Sequence, residues 1–290
     1  MWQSLVRNWI QQHLQQKVYE QVANAGRTTV ESSDEPAPPP GPCDVGLVFA
    51  LGIESGGLED LLNAVVVTRA KNFLAREGTL RGRRLVLAQA GVGRRRAERA
   101  TQMLLAGHQP AWVISAGFSG GLQPGLKRGD IVMADSLAEP GGGRLAIDVR
   151  IDQQTLASTP GLHVGRLLTV DKIVADSSEK QRLGQTYDAL AVDMESWGVG
   201  EVCSQEHVRF LAVRVISDTM EENLPHDLGR LITQQTTAGK VGAVTSALWR
   251  RPSSFKDMMR LREQALISSD RLAKFLAGVI AQLVPRGDSP

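Results

Sequence analysis

Apolar residues follow two rhythms along this chain, and the change between them divides it. In the first 43 residues, Trp2, Val6, Ile10, Leu14, Val18 and Val22 recur every fourth position with Leu5 and Trp9 beside them. That spacing lays an apolar stripe along one helix face, and Gln11, Gln12, Gln15 and Gln16 fill the opposite one. The run Glu35-Pro-Ala-Pro-Pro-Pro-Gly-Pro42 has no capacity for helix or ladder and predicts a stiff linker. Residues 1–43 are therefore expected to form an amphipathic helix and its proline-rich linker, and residues 44–290 a catalytic domain with a helical C-terminal extension.

From Val45 the rhythm changes to short apolar runs separated by helical patterns. Strands are expected at Val45 to Leu51, Leu85 to Ala90, Trp112 to Ala116, Asp130 to Ala134, Leu167 to Val170 and Phe210 to Ile216. Helices are expected at Arg95 to Gly107 and Glu195 to Ser204, and one long or two broken helices over Ser254 to Leu283. This alternation predicts an α/β sheet covered by helices on both faces, with ligands gathering at the carboxyl ends of its strands. The stretch Met220 to Asp227 is a candidate lid.

Composition narrows the function classes. Aromatics are 4% of the 290 residues, so the core is mostly aliphatic, and a net charge of +2 gives no reason to expect a nucleic-acid partner. The clusters Arg81-Gly82-Arg83-Arg84 and Arg94-Arg95-Arg96 read as solvated turn and helix-start residues. Cys43 and Cys203 form no CxxC pair, so free thiols in a reducing compartment are expected and a metal clip is not. No apolar run approaches the ~20 residues of a membrane span, and the N-terminus lacks a signal-peptide core, which makes the cytoplasm the default. Among the histidines, His108 closes a helix where a cation suits the dipole, and His13, His163, His207 and His226 show no ligand spacing. Neither a metal nor a cofactor is expected.

Four segments at strand ends carry the candidate chemistry. Glu54, in Ala50-Leu-Gly-Ile-Glu54, either meets a ligand or caps the helix starting near Ser55. The turns Ala90-Gly-Val-Gly93 and Ser115-Ala-Gly-Phe-Ser-Gly-Gly121 allow close backbone approach and free N–H donors, but neither is a dinucleotide GxGxxG. Asp218 ends an apolar strand, and Glu195 begins the helix leading into that strand, so the two carboxylates converge at one sheet edge. Such a pair divides labour as in glycoside hydrolysis: one group protonates the leaving group, the other stabilises a cationic sugar. Partial burial of Asp218 would raise its pKa in the direction an acid needs.

Taken together, Val45 to about Thr219 resembles the purine nucleoside phosphorylase/nucleosidase superfamily, most closely its methylthioadenosine/adenosylhomocysteine nucleosidase branch. The pair Val192-Asp-Met-Glu195 and Val213-Arg-Val-Ile-Ser-Asp218 carries most of the likeness, supported by Val113 to Leu122 and Gly129-Asp-Ile-Val132. The resemblance implies a three-layer α/β fold with a mixed central sheet flanked by helices. It implies that Asp218 protonates purine N7 with Ser217 positioning it, and that Glu195 binds the ribose hydroxyls with Met194 packed under the sugar. Glu54 would activate the attacking water with Arg214 nearby, and Ile173 and Val174 would flank the base. Gly117 and Phe118 belong to the glycine block beside the sugar. A nucleoside substrate and a homo-oligomer, dimer or larger, are implied by the same likeness.

This chain also departs from the pattern. Ile173 stands where an aromatic often stacks on the base, and Phe118 where a serine often sits. Phosphorylases carry a phosphate-binding arginine and serine where this chain has Ser115 and Phe118, which favours water as the nucleophile. Two alternatives stay open. Arg94, Arg95 and Arg96 could supply phosphate contacts, and the tail from Leu248 is similar to the extension of hopanoid-associated nucleoside phosphorylases, which act on an adenosyl lipid. Phe118 and Ile173 would also suit a non-catalytic nucleoside-binding protein. Residues 1–22 would pack on a partner subunit; contact with a membrane surface is the weaker reading, because Arg7 and Lys17 are the only strong cations there.

Overall fold

The computed structural model describes residues 42–70, 73–149, 151, 153–224 and 252–284. The expected N-terminal helix and nearly all of the linker lie outside these residues, as do His226 and the end of the candidate lid. The first half contains β1 (Val45–Phe49), α1 (Gly52–Glu59), β2 (Asn63–Ala70), β3 (Phe73–Leu80), β4 (Arg83–Gln89), α2 (Arg94–His108), β5 (Trp112–Gly121) and β6 (Ile131–Ala138). There follow β7 (Arg144–Ala146), α3 (Gln153–Ser158), β8 (Leu162–Thr169), α4 (Ser177–Tyr187), β9 (Ala191–Asp193), α5 (Ser196–Gln205), β10 (Arg209–Asp218) and the single long helix α6 (Pro252–Leu283).

All ten strands belong to one mixed sheet. Its open half runs β2, β3, β4, β1, β5; from β5 it closes on itself through β10, β6, β8 and β9, which returns to β5 at Gly120 and Gly121. Strands β4, β1, β5 and β10 are parallel, so their carboxyl ends share one edge. Of the β2–β3–β4 meander, β4 matches the strand expected at Leu85 to Ala90, whereas β2 and β3 were not legible in the sequence. Charges on β3, such as Arg76 and Glu77, interrupt its apolar alternation. The turn into β4 is Arg81-Gly82 with φ of 50° and 78°, the geometry that joins a tight hairpin.

Burial explains the layers. In β1, Val45, Leu47 and Phe49 face one side and pack with Leu58 of α1 and Leu272, Leu276 and Ile280 of α6. Val48 faces the other and packs with Ala97, Ala100 and Leu104 of α2 and Val199 and Cys203 of α5. Gly46 has to be small, because a Cβ there would lie 2.6 Å from Leu104. A third cluster joins Leu122, Leu168, Val174, Leu183 and Val192 beneath α4. Both cysteines are free, and burial pushes each thiol up to about 12.

Two readings of charge need correction. Arg83 is not solvated: its guanidinium donates to the carbonyls of Val284 (2.5 Å) and Ala281 (3.2 Å) and so caps α6. Arg94 reaches Glu98 and Glu201, each at 2.9 Å, and also Glu139, and stacks on Trp197. His108 does close α2, but burial lowers its pKa against the pull of Glu77, so the helix end carries a neutral ring rather than a cation.

Candidate active site

The carboxyl edge shared by β1, β4, β5 and β10 gathers the candidate residues. Glu54 lies in the first turn of α1, one strand away from β5. Its Oε2 accepts the Leu51 N–H at 2.8 Å, which caps the helix. Its Oε1 accepts the Phe118 N–H at 2.9 Å. The capping reading of Glu54 holds at Oε2, while Oε1 is turned to the backbone of β5. Gly117 makes this possible, since a Cβ there would stand 2.7 Å from Oε1. Burial raises the Glu54 pKa, opposed by the Phe118 and Leu51 N–H groups and by the charge of Arg214. Behind α1, α6 fixes the position: Ser269 Oγ accepts the Gly57 N–H at 3.0 Å and donates to the Glu54 carbonyl at 3.3 Å.

Glu195 precedes α5 and is nearly buried. Its Oε1 accepts the Gly93 N–H at 2.7 Å, and Met194 N–H approaches Oε2 at 3.3 Å. Gly93 has a φ of 104°, which its lack of a side chain permits. The glycine-turn donors expected to face a ligand are therefore used on carboxylates, Gly93 on Glu195 and Phe118 on Glu54. Burial pushes the Glu195 pKa up from 4.5 to about 8, and the charges of Asp193 and Glu54 add to it while Arg214 opposes. Glu54 and Glu195 are close enough to feel one another.

Arg214, expected near the attacking water, is 2% exposed and most of its N–H groups have protein partners. Nε and Nη2 reach Asp193 Oδ2 at 2.9 and 2.6 Å, Nη2 also reaches Ser115 and Ser196 Oγ at 2.8 Å, and Nη1 donates to the Val213 carbonyl. Thr169 Oγ1 donates to the other oxygen of Asp193 at 2.7 Å. The cluster holds Glu54, Asp193 and Glu195 around one guanidinium, a local excess of carboxylates in a dry place.

Asp218 sits at the end of β10, where the pairing with β5 slips between Ile216 and Asp218. That bulge re-aims the side chain, placing Oδ2 3.1 Å from where a Cβ of Gly120 would be. Gly117 and Gly120 are three residues apart on β5, so Glu54 lies against one position near the end of that strand and Asp218 against another. Ser217 Oγ lies 2.6 Å from Asp218 Oδ1 and 3.1 Å from the Ser119 carbonyl. The sequence suggested an acid perturbed by partial burial alone. The structure instead gives Asp218 an ionic partner: the ammonium of Lys180 donates to Oδ2 at 2.5 Å.

The other expected residues divide. Phe118, Met194 and Ile173 are half-buried. Val174 is buried in the cluster beneath α4, where it serves packing. The start of the candidate lid is tied down: Thr219 N–H donates to Glu222 Oε2 at 3.0 Å, Arg128 holds Glu222, and Leu224 N–H donates to the Ala175 carbonyl at 2.9 Å. Two site residues were missed. Asp193 was visible beside Glu195 in Val192-Asp-Met-Glu195, whereas Lys180 is an ordinary lysine in a polar helix until α4 is docked.

Comparisons with known proteins agree with this architecture. The chain is 27% identical over 228 residues to a 5′-methylthioadenosine/S-adenosylhomocysteine nucleosidase of an Exiguobacterium species, covering 70% of this chain and 98% of that one. It is 26% identical over 196 residues to the Tolumonas auensis protein of the same name, covering 60% and 85%. Among solved structures, the nucleosidase of S. pneumoniae with a transition-state inhibitor superposes with a TM-score of 0.63 at 18% identity, covering 83% of this chain and all (100%) of that one. The Helicobacter pylori nucleosidase does so at 0.64 and 17%, covering 83% and 99%. These likenesses show the fold. The sequence model of the phosphorylase superfamily matches residues 44–248, from the strand before Glu54 to beyond Asp218, and on that match the chain belongs to the phosphorylase superfamily.

Proposed function

We propose that this protein hydrolyses the N-glycosidic bond of a purine nucleoside of the 5′-methylthioadenosine or S-adenosylhomocysteine type and releases adenine. The observation that carries the reading is the buried excess of carboxylates, Glu54, Asp193 and Glu195 against Arg214. Burial first, and repulsion from Asp193 and Glu54 added to it, make Glu195 hold its proton to about 8. A sugar that becomes cationic in the transition state relieves that repulsion, whereas a neutral ground-state sugar does not. The cluster therefore binds the transition state better than the substrate.

The roles follow. Glu195 spends one oxygen on Gly93 and keeps lone pairs for the ribose hydroxyls, with Met194 beneath the ring. Glu54 takes a proton from water as the water oxygen bonds C1′, and burial, which raises its pKa, makes it a stronger base than an exposed carboxylate. The C1′–N9 electron pair leaves with the base, and Asp218 protonates N7. Water is favoured over phosphate because Nε and Nη2 of Arg214 are committed to Asp193, Ser115 and Ser196, and a phosphate beside Glu54 would meet a carboxylate.

Adenine release from both nucleosides, assayed with and without phosphate, tests the reading. Turnover in phosphate-free buffer is expected. Turnover that requires phosphate and yields a sugar 1-phosphate would establish the phosphorylase instead, and tight binding without product the non-catalytic reading. No described helix is long and apolar enough to cross a membrane; a cytoplasmic location rests on the sequence reading alone. Assembly as a homo-oligomer rests on the family resemblance, and the exposed Leu266 and Ile267 of α6 offer an apolar surface for it.

A further inference from the structure

Lys180 has no part in the reading above, yet it is fully buried and makes three hydrogen bonds. Nζ donates to Asp218 Oδ2 at 2.5 Å, to the Glu222 carbonyl at 2.7 Å and to the Thr219 carbonyl at 2.9 Å. An ammonium has three hydrogens, so its capacity is filled. Stability alone gives little reason for this arrangement. A buried ion pair commonly does no better than an apolar pair of the same volume, because two charges have first to be stripped of water.

We propose that Lys180 is a positioning residue for departure of the base, acting through Asp218; the inference rests on the proposed function. Lys180 lies on α4, while Asp218 and the following turn belong to β10, so Nζ ties the two elements together at the bulge. It also distinguishes the carboxylate oxygens. Oδ2 faces an N–H that cannot accept a proton. Oδ1 faces the Ser217 hydroxyl, which can turn its own hydrogen to the Ser119 carbonyl and accept one from Oδ1. A proton on its way to N7 of the base therefore passes through Oδ1, the oxygen that Lys180 leaves free, and Lys180 fixes which oxygen that is.

Leaving-group dependence tests this. Methylthioadenosine needs its base protonated; a 4-nitrophenyl 5-methylthioriboside loses a phenolate that departs unaided. Lys180→Met should lower kcat on methylthioadenosine by about 100-fold with KM within about threefold, and should change the aryl riboside rate by less than about threefold. Lys180→Arg keeps a cation and should recover about tenfold of the loss. Equal losses on both substrates, or no loss on methylthioadenosine, would overturn the positioning role while leaving the proposed function standing. A wild type silent on both substrates would sink the proposed function and this inference with it. If Lys180→Met fails to fold, Lys180→Arg carries the test by the same comparison of substrates.

Discussion

The two acidic centres at this sheet edge are held in opposite ways. Glu54 and Glu195 are gripped by backbone N–H groups of Leu51, Phe118 and Gly93 and crowded by a further carboxylate, Asp193. Asp218 is gripped by side chains, the ammonium of Lys180 and the hydroxyl of Ser217. Backbone donors fix geometry without adding a full positive charge, so the first centre stays electrostatically hungry for a cation. The second is neutralised by its partner and suits proton handling, where the position of one hydrogen matters more than net charge. A reaction that creates a cationic sugar and an anionic base needs both kinds of centre, one at each end of the bond that breaks.

Removing the acid should have the largest effect. Asp218→Asn is expected to lower kcat on an adenine nucleoside by about 10³-fold or more, and to cost about 3 kcal/mol of stability because Lys180 loses its counter-charge in the interior. Steady-state kinetics and thermal melts check both parts; a variant with wild-type kcat would remove Asp218 from the chemistry.

The other centre should respond in the opposite sense. Glu195→Gln is expected to reduce kcat about 100-fold yet stabilise the unliganded protein at pH 8 by about 1–3 kcal/mol, since it removes one of the crowded charges. A denaturation midpoint at pH 8 that falls in this variant contradicts the electrostatic account. Wild type should show the same effect as a pH dependence. The folded-state pKa of Glu195 is raised from 4.5 to about 8, so over that window the folded state binds protons that the unfolded chain has released. Stability contributed by this group is present below pH 4.5 and is lost as pH rises through about 8, with a limiting slope of about 1.4 kcal/mol per pH unit. Glu54, raised in the same direction, adds to the decline. A cationic transition-state analogue should flatten the profile, read by melts at pH 5, 6, 7 and 8.

The smallest expected effect is mechanical. A Cβ at Gly57 would stand 2.9 Å from the Ser269 carbonyl of α6, so Gly57→Ala forces α1 and α6 apart. A loss of about 1–3 kcal/mol is expected, with kcat lowered only severalfold as Glu54 shifts on its helix. Unchanged stability would mean that the long helix yields more easily than its packing suggests.

The order of the chemistry along the chain was open to reading before any coordinates. Apolar runs at β1, β5 and β10, broken inside β5 by Ser115 and inside β10 by Arg214, follow from the cover on both of their faces, and buried strands announce themselves in that way. Carboxylates just past such runs fall at the ligand-bearing edge. Strands β2 and β3 were missed because exposed faces tolerate charge, which erases the alternation, and β9 because three residues carry no period. Glu54 and Asp218 were singled out through their place at strand ends, and Glu195 through its place at the start of a helix.

What the sequence determined by itself is therefore the α/β class and the places of Glu54 and Asp218 at strand ends and Glu195 at a helix start, because burial periodicity and element termini are local properties. What only the tertiary structure decided is how those acids are charged and held: Arg214 turned onto Asp193, Glu195 pressed against like charge, Lys180 brought from α4 to Asp218. Electrostatic interactions depend on distance through the folded interior, and residues 38 positions apart in the chain, as Lys180 and Asp218 are, become neighbours only when the helices dock on the sheet.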